Sequence, residues 1–374
     1  MPRVLLVYEP PDGGVAENVM QLALRLAEHG FEPEVAGPLE SFIYPRLEAA
    51  GIPVRRVPFA RGYSRPRQDV RALRSLTSLV RRGGFDVVHC HSAKAGVLGR
   101  VAARMAGRPS LYSPHCFGFV GDVSRKRRLF ALTVERALGR VTGMILCACQ
   151  TERKRALEAN VVPAERLRVV FYGVEACPPD GSRNPELLEL RGEGPLAGAV
   201  TVLREQKRVD LLLDAAASVF ERVPEARLAI VGNGPLRGAL EEQARERGLD
   251  ADERFRFLPF DPPSAQHLLA LDVYVLPSAW EAMPIGVLEA LACGIPQVVT
   301  DVEGTHEAIS DETGILIPPR DATALADAMV ALLADPERRE RCSERSRERH
   351  AELFAVDRMV AETAAAYTQA LGQS

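Results

Sequence analysis

The stretch VYVLPSAWEAMPIGVLEALACGIPQVVT, residues 273–300, holds one complete strand–helix–strand unit. Val273–Leu276 is a short apolar run, the pattern of a strand buried on both faces. Pro284 fits the first turn of a helix, where its missing N–H removes no hydrogen bond. Ile285–Cys293 is an apolar helix, Gly294 ends it, and Gln297–Thr300 is a second apolar strand. Two strands joined by one crossover helix read as parallel, and a parallel sheet needs cover on both faces.

The rhythm extends outward from this unit. Before it lie strand Ala199–Leu203, helix Val209–Arg222, strand Leu228–Val231, helix Leu236–Arg247 and strand Phe255–Leu258. After it come strand Gly314–Ile317 and helices Ala322–Leu333, Glu337–Ala351 and Ala355–Ala370. An earlier series has strands Val4–Val7, Glu34–Ala36, Val54–Val57, Asp86–Cys90, Ser110–Ser113, Gly143–Cys147 and Arg168–Phe171. Its helices are Val15–Leu26, Asp69–Arg81, Ala95–Ala106 and Ser124–Leu138. Cys177-Pro-Pro-Asp-Gly-Ser-Arg-Asn-Pro185 separates the two series and is dense in turn formers. The prediction is an α/β chain of two doubly wound Rossmann-like domains, residues 1–175 and 186–354, with a linker at 176–185. A length of 374 residues suits two domains of about 150 each. Ligands in such sheets sit at the carboxyl ends of strands, and the cleft between two such domains is the default site.

Composition narrows the classes. With 47% hydrophobic and 26% charged residues the chain reads as a soluble globular protein. No run of 18 apolar residues predicts a spanning helix, and Glu9, just after Val4–Val7, argues against a signal peptide. The net charge of −3 hides a split: residues 1–172 carry 27 basic and 15 acidic side chains, net +12, and the rest 20 and 35, net −15. The seven cysteines are odd in number and scattered, which reads as reduced, buried thiols in a reducing cytosol.

Several motifs carry candidate chemistry. Gly13-Gly14, between the first strand and first helix, would let a ligand approach the backbone, or would serve only as a tight turn. Gly232-Asn233-Gly234 follows an apolar strand and opens a helix; with Gly238 it loosely matches a dinucleotide fingerprint, but Pro235 and Arg237 break the pattern. Lys207, one of only four lysines, follows a strand, with Arg204 three residues earlier; two cations there would clamp a diphosphate, or lie in a solvated loop. Glu281 falls in the loop before helix 285–293 and is free to present to a cleft. Glu289 falls in that helix's second turn, where a carboxylate among apolar neighbours needs strong partners. Two ordinary surface carboxylates are the alternative. His89, His91 and His115 end two strands; zinc lacks further ligands at usual spacing, and His115 reads as a cleft-facing polar group. Arg125-Lys126-Arg127-Arg128 opens a helix carrying Leu129 and Phe130, and Phe117, Phe119 and Val120 precede it; this suits an anionic bilayer surface, or a solvated face. A second basic run spans Arg55 to Arg82. No nucleic-acid-binding signature accompanies these charges.

Taken in order, these residues resemble the retaining glycosyltransferases of family 4, two-domain GT-B enzymes that use nucleotide sugars, over nearly the whole chain. The resemblance is strongest from Ala199 to Pro318. Glu281-Ala-Met-Pro-Ile-Gly-Val-Leu-Glu289 through Gly294-Ile-Pro296 looks like the family's paired-glutamate motif, continued by Asp301–Glu307 and Thr313–Pro318. Asp86–Gly96 and Ser113–Phe117 look like family segments facing the cleft. The resemblance implies that Lys207 binds the donor diphosphate. Glu281 would meet the transferred sugar together with the backbone of Met283, Pro284 and Ile285, and Glu289 would hold the ribose hydroxyls. Gly232, Asn233, Gly234 and Phe260 would border the base and phosphates, and Gly13, Gly14 and His115 would reach the donor from the other domain. The family's usual Arg five residues before the Lys is Val202 here, which leaves Arg204 as the nearby cation; Cys116 replaces a more usual Gly. The resemblance also implies a final helix, within 355–374, that completes the first domain, and no metal or other cofactor.

The expected activity is retaining transfer from a nucleoside diphosphate sugar (UDP- or GDP-linked) to a hydroxyl of a lipid-linked or small-molecule acceptor. Glycan, exopolysaccharide or glycolipid synthesis is the expected setting, in the cytoplasm or at the inner membrane face. Rival readings are a nucleotide-sugar 2-epimerase on the same fold, a natural-product glycosyltransferase and a non-catalytic nucleotide-sugar binder.

Overall fold

The structure, a computed structural model, describes residues 1–59, 65–121, 123–178 and 181–372. The chain divides into two compact units: Met1–Gly173 with Val356–Ser374, and Val174–Ala355. Each is a parallel sheet flanked by helices.

The first unit holds seven strands: β1 Arg3–Val7, β2 Glu32–Gly37, β3 Val54–Arg56, β4 Val87–His91, β5 Ser110–Ser113, β6 Met144–Cys147 and β7 Leu167–Val169. Their order is β3-β2-β1-β4-β5-β6-β7, all parallel. Strands β1, β4, β5 and β6 are buried almost throughout, which explains why they read as continuous apolar runs. The chain winds from β1 to one edge, returns to β4, and winds to the other. The loops after β1 and β4 therefore diverge at a switch point.

The second unit repeats the plan with six strands: β8 Leu196–Val200, β9 Arg227–Val231, β10 Phe255–Leu258, β11 Val273–Leu276, β12 Gln297–Thr300 and β13 Gly314–Ile317. The order is β10-β9-β8-β11-β12-β13, with the switch point between β8 and β11. Its core joins Ala197, Leu212, Val219, Ile230, Val275 and Leu325.

The sequence reading misses strand boundaries by up to three residues, most of all at β8. It expects Ala199–Leu203, whereas β8 ends at Val200. Ala and Gly have low strand propensity, so Leu196-Ala-Gly-Ala reads more weakly as strand than Thr201-Val-Leu203 does. Those three residues leave the sheet along β9, with Thr201 N–H bonded to Val231 O and Leu203 N–H to Asn233 O. Helices Tyr44–Ala49, Gln150–Glu158, Pro185–Arg191, Ser264–Leu268 and Thr305–Ala308 were also missed. Four to nine residues hold too few turns to show a helical period.

The division between units falls at Gly173–Val174, so the turn-rich stretch after Cys177 lies within the second unit. The reduced state expected of all seven cysteines is corrected for two. Cys177 and Cys293 form a disulfide with Cα atoms 4.8 Å apart, across 116 residues of sequence. That spacing gave no sign of the pair; the fold brings the Cα atoms into bonding range. Cys90, Cys116, Cys147, Cys149 and Cys342 stand outside any disulfide.

The last helix, Val356–Gly372, packs in the first unit. Met359 Sδ accepts from Asn18 Nδ2 at 3.0 Å, and Tyr367 Oη lies 2.7 Å from His89 Nδ1. In the same unit Arg100 is fully buried. Its guanidinium lies 3.8 Å above the Tyr112 ring and pairs with Glu135 at 2.9 Å, tying helix Ala93–Met105 to helix Arg125–Gly139. Among the described residues no helix is long and apolar enough to cross a membrane.

Candidate active site

The second unit's switch point brings the loops after β8 and β11 side by side, and the two strongest candidates meet there. Lys207 ends the short 3-10 turn Glu205–Lys207. Its Nζ lies 2.5 Å from Glu281 Oε1. Ser278 Oγ donates to the same oxygen at 2.8 Å, and Gln206 Nε2 reaches Glu281 Oε2 at 3.3 Å. Gln206 also clamps the β11 loop: its Nε2 donates to Trp280 O at 2.8 Å, and its backbone carbonyl accepts from Ala279 N–H at 2.8 Å. Glu281 is thus only 6% exposed, buried and fully partnered, not freely presented as its loop position suggests. A carboxylate this buried needs such donors, because an unpaired buried charge is costly.

Pro284 stands as the N-cap of helix Ile285–Cys293 rather than inside its first turn. Met283 and Pro284 are buried and Ile285 half-buried. Glu289 is half-buried in this helix, and Ser264 Oγ donates to its Oε1 at 2.7 Å. Neither glutamate is the surface carboxylate of the alternative reading.

Gly232 and Gly234 have a structural reason to be glycine. A Cβ on Gly232 would collide with Thr201 O, and one on Gly234 with the Leu203 backbone. The glycine spacing therefore records the close approach of this turn to the segment after β8. Asn233 is exposed and its Nδ2 donates to Phe260 O at 3.2 Å; Phe260 itself is 36% exposed. Arg204 is exposed at the start of the Lys207 turn.

In the first unit, Gly13 caps helix Gly14–Arg25 with φ +79 and ψ −170, a conformation that excludes side chains, and open space surrounds it. His115 follows β5 with φ +53, and Cys116 with φ +87. That backbone at Cys116 is one that glycine adopts without strain and a side chain does not. His91 Nδ1 lies 2.9 Å from His115 Nε2, and Tyr172 Oη is hydrogen-bonded to His115 Nδ1. His89 is held by Tyr367 at 2.7 Å and Ser113 at 2.9 Å. Burial pushes His89 and His115 down to about 3, and His91 well below its ordinary value, so all three are neutral near pH 7. Among the described residues no group of three or more His, Cys, Asp or Glu side chains is placed to hold a metal ion.

The basic helix Arg125–Gly139 presents Arg125, Lys126, Arg127 and Arg128 to solvent, with Leu129 65% and Phe130 63% exposed. Phe117, Phe119 and Val120 do not join that surface. All three are buried, with Phe117 and Phe119 stacked 4.9 Å apart in the core. Aromatic content alone cannot tell a core pair from an interfacial one.

Sequence reasoning missed Gln206, Ser278, Ser264 and Tyr172. Each is a common polar residue whose role comes only from its distance to a carboxylate or imidazole.

Comparison with known proteins defines the class. The family described as glycosyl transferases group 1 matches residues 182–349, and the family described as glycosyl transferase 4-like domain matches residues 13–173. The D-inositol 3-phosphate glycosyltransferase of Frankia alni is 31% identical over 360 residues, covering 88% of each chain. The UDP-Gal:alpha-D-GlcNAc-diphosphoundecaprenol alpha-1,3-galactosyltransferase of Escherichia coli is 28% identical over 309 residues, 80% of this chain and 78% of that protein. Among solved structures, Anabaena HepE in complex with UDP and glucose superposes with a TM-score of 0.81 at 19% identity, over 99% of this chain and 100% of that one. These are nucleotide-sugar glycosyltransferases of GT-B fold. The chain belongs to their family, the family-4-like glycosyltransferases.

Proposed function

We propose that this glycosyltransferase retains the anomeric configuration, and that its donor is a UDP-sugar, with a GDP-sugar as the second choice. The observation that carries the reading is the cluster of Lys207, Glu281, Ser278 and Gln206 at the second unit's switch point. Lys207, with Arg204, receives the diphosphate, because a cation lowers the energy of charge developing on the leaving phosphate. Glu281 and the backbone of Met283, Pro284 and Ile285 hold the sugar, and Glu289 the ribose. Gly232, Asn233, Gly234 and Phe260 border the base and phosphates, while Gly13, Gly14 and His115 are the first unit's ligand contacts. The bond from the sugar's anomeric carbon to phosphate oxygen breaks as the acceptor oxygen bonds to that carbon from the same face. The acceptor's proton passes to the leaving phosphate. Positioning and electrostatics carry the rate, with no cofactor or metal.

The acceptor is a hydroxyl on a lipid-linked glycan at the inner membrane face. The exposed Arg125–Arg128 turn supports this: cations at a helix N-terminus oppose the helix dipole, and an anionic headgroup relieves that cost. The Escherichia coli relative's lipid diphosphate substrate is of this type. A thermal-shift screen against UDP-, GDP- and ADP-sugars identifies the donor. Transfer unaffected by Lys207→Ala and Glu281→Ala would refute the site. Equal binding to anionic vesicles after Arg125–Arg128 are changed to Gln would refute the membrane role.

A further inference from the structure

Glu152 is a buried carboxylate, only 2% exposed, that the proposed chemistry leaves without a role. It lies in the first turn of helix Gln150–Glu158, which follows β6. Its Oε2 accepts Ala148 N–H at 2.7 Å beside the helix start, and its own N–H donates to Cys149 Sγ at 3.3 Å. That much is a helix cap, in which a Glu three residues after the cap position reaches back to nearby backbone. The other oxygen does something a cap does not need. Oε1 accepts Cys116 N–H at 2.9 Å, across 36 residues, in the loop after β5. This N–H belongs to the peptide plane between His115 and Cys116. A peptide is rigid, so holding its N–H restrains the two torsions that flank it, ψ of His115 and φ of Cys116. These two residues have φ +53 and +87, left-handed values that carry a cost for any side chain. On one side of the turn Ser113 ends β5, and on the other Phe117 is buried and stacked on Phe119. Between them the peptide plane is held by a hydrogen bond to a buried carboxylate, about twice as strong as one between neutral groups.

We propose that Glu152 is a positioning residue: its carboxylate holds the His115–Cys116 peptide in the left-handed turn and so sets where His115 presents its ring to the substrate. The inference rests on the reading of His115 as a substrate contact, and it holds whichever ring nitrogen carries the hydrogen. It gives the second oxygen of Glu152 a purpose. It also explains how a cysteine keeps a backbone conformation suited to glycine.

Amide hydrogen exchange tests the bond in the wild type. The Cys116 amide, covered by a buried carboxylate, should exchange about a hundredfold more slowly than an unbonded loop amide. Exchange as fast as in the exposed loops overturns the proposal without any variant. Glu152→Gln keeps the size but offers one acceptor oxygen where two are used. Its kcat should fall about tenfold, with UDP affinity within about twofold, because Lys207 and Glu289 belong to the other unit. Glycine adopts φ +87 without strain, so adding Cys116→Gly should bring the Glu152→Gln protein back to within about threefold of the wild type. A defect in capping helix Gln150–Glu158 does not respond to Cys116→Gly. Glu152→Asp, one methylene shorter, keeps the charge at the helix start but loses the reach to Cys116; it should show the same fall and the same rescue, and it stands in if the Gln variant fails to fold. Full kcat in these variants, or a loss that Cys116→Gly leaves untouched, overturns the positioning role. Transfer lost in His115→Ala but kept in Glu152→Gln overturns the role of Glu152 alone, whereas transfer kept in His115→Ala overturns the contact assigned to His115.

Discussion

Replacing Glu281 by Gln should weaken sugar transfer while tightening nucleoside diphosphate binding. In the free protein Lys207 is paired with Glu281 at 2.5 Å, so a diphosphate must compete for that ammonium. At an effective dielectric of about 20, unit charges at this distance attract by about 7 kcal/mol. Desolvation of both groups offsets most of that gain, leaving about 1–2 kcal/mol net for a partly exposed pair. Glu281→Gln keeps the shape and an acceptor for Ser278 but removes the charge. UDP should then bind about 5–30-fold more tightly by titration calorimetry, since each 1.4 kcal/mol is tenfold. Lys207→Ala should do the reverse, weakening UDP by about 10–100-fold through loss of a charge-assisted hydrogen bond. Transfer should fall in both variants. If Glu281→Gln binds UDP, GDP and ADP more weakly than the wild type does, the picture of an ion pair that must be exchanged is wrong.

Other consequences are independent of the ligand. His89, pushed down by burial to about 3 in the fold against 6.5 ordinarily, makes the unfolded chain the better proton binder between those values. Stability of the first unit should therefore fall as pH drops from 7 to 5, by about 2 kcal/mol from this group, read from denaturant midpoints. Arg100→Met alone should destabilise by about 3–5 kcal/mol by leaving Glu135 buried without its guanidinium, whereas adding Glu135→Leu should restore much of the loss. Gly13→Ala should cost about 1–3 kcal/mol at φ +79, while Gly238→Ala, in a helix with nothing near its Cβ, should stabilise by about 1 kcal/mol. Thiol alkylation of the denatured, unreduced protein should count five cysteines, and seven after reduction, because Cys177 and Cys293 are paired.

The charge split has gained a partial location. Of the first unit's cations, Arg100 is a buried structural group, whereas Arg125–Arg128 lie on its surface.

The sequence by itself determined the alternation of strands and helices, because buried parallel strands must be apolar along their whole length and their covering helices must carry one apolar face. It also singled out Glu281, Glu289 and Lys207, whose motif survives as a linear string. It did not determine which polar groups surround them. Gln206 reaches Glu281 from a loop that only the β8–β11 pairing sets beside it, and Cys177 finds Cys293 across 116 residues. Tyr172 lies 57 residues from His115, and neither residue type announces a partner. Hydrogen bonds and charge pairs act over about 3 Å, so they are fixed only once the chain has folded. Burial patterns repeat every two or four residues, so they are written in the sequence from the start.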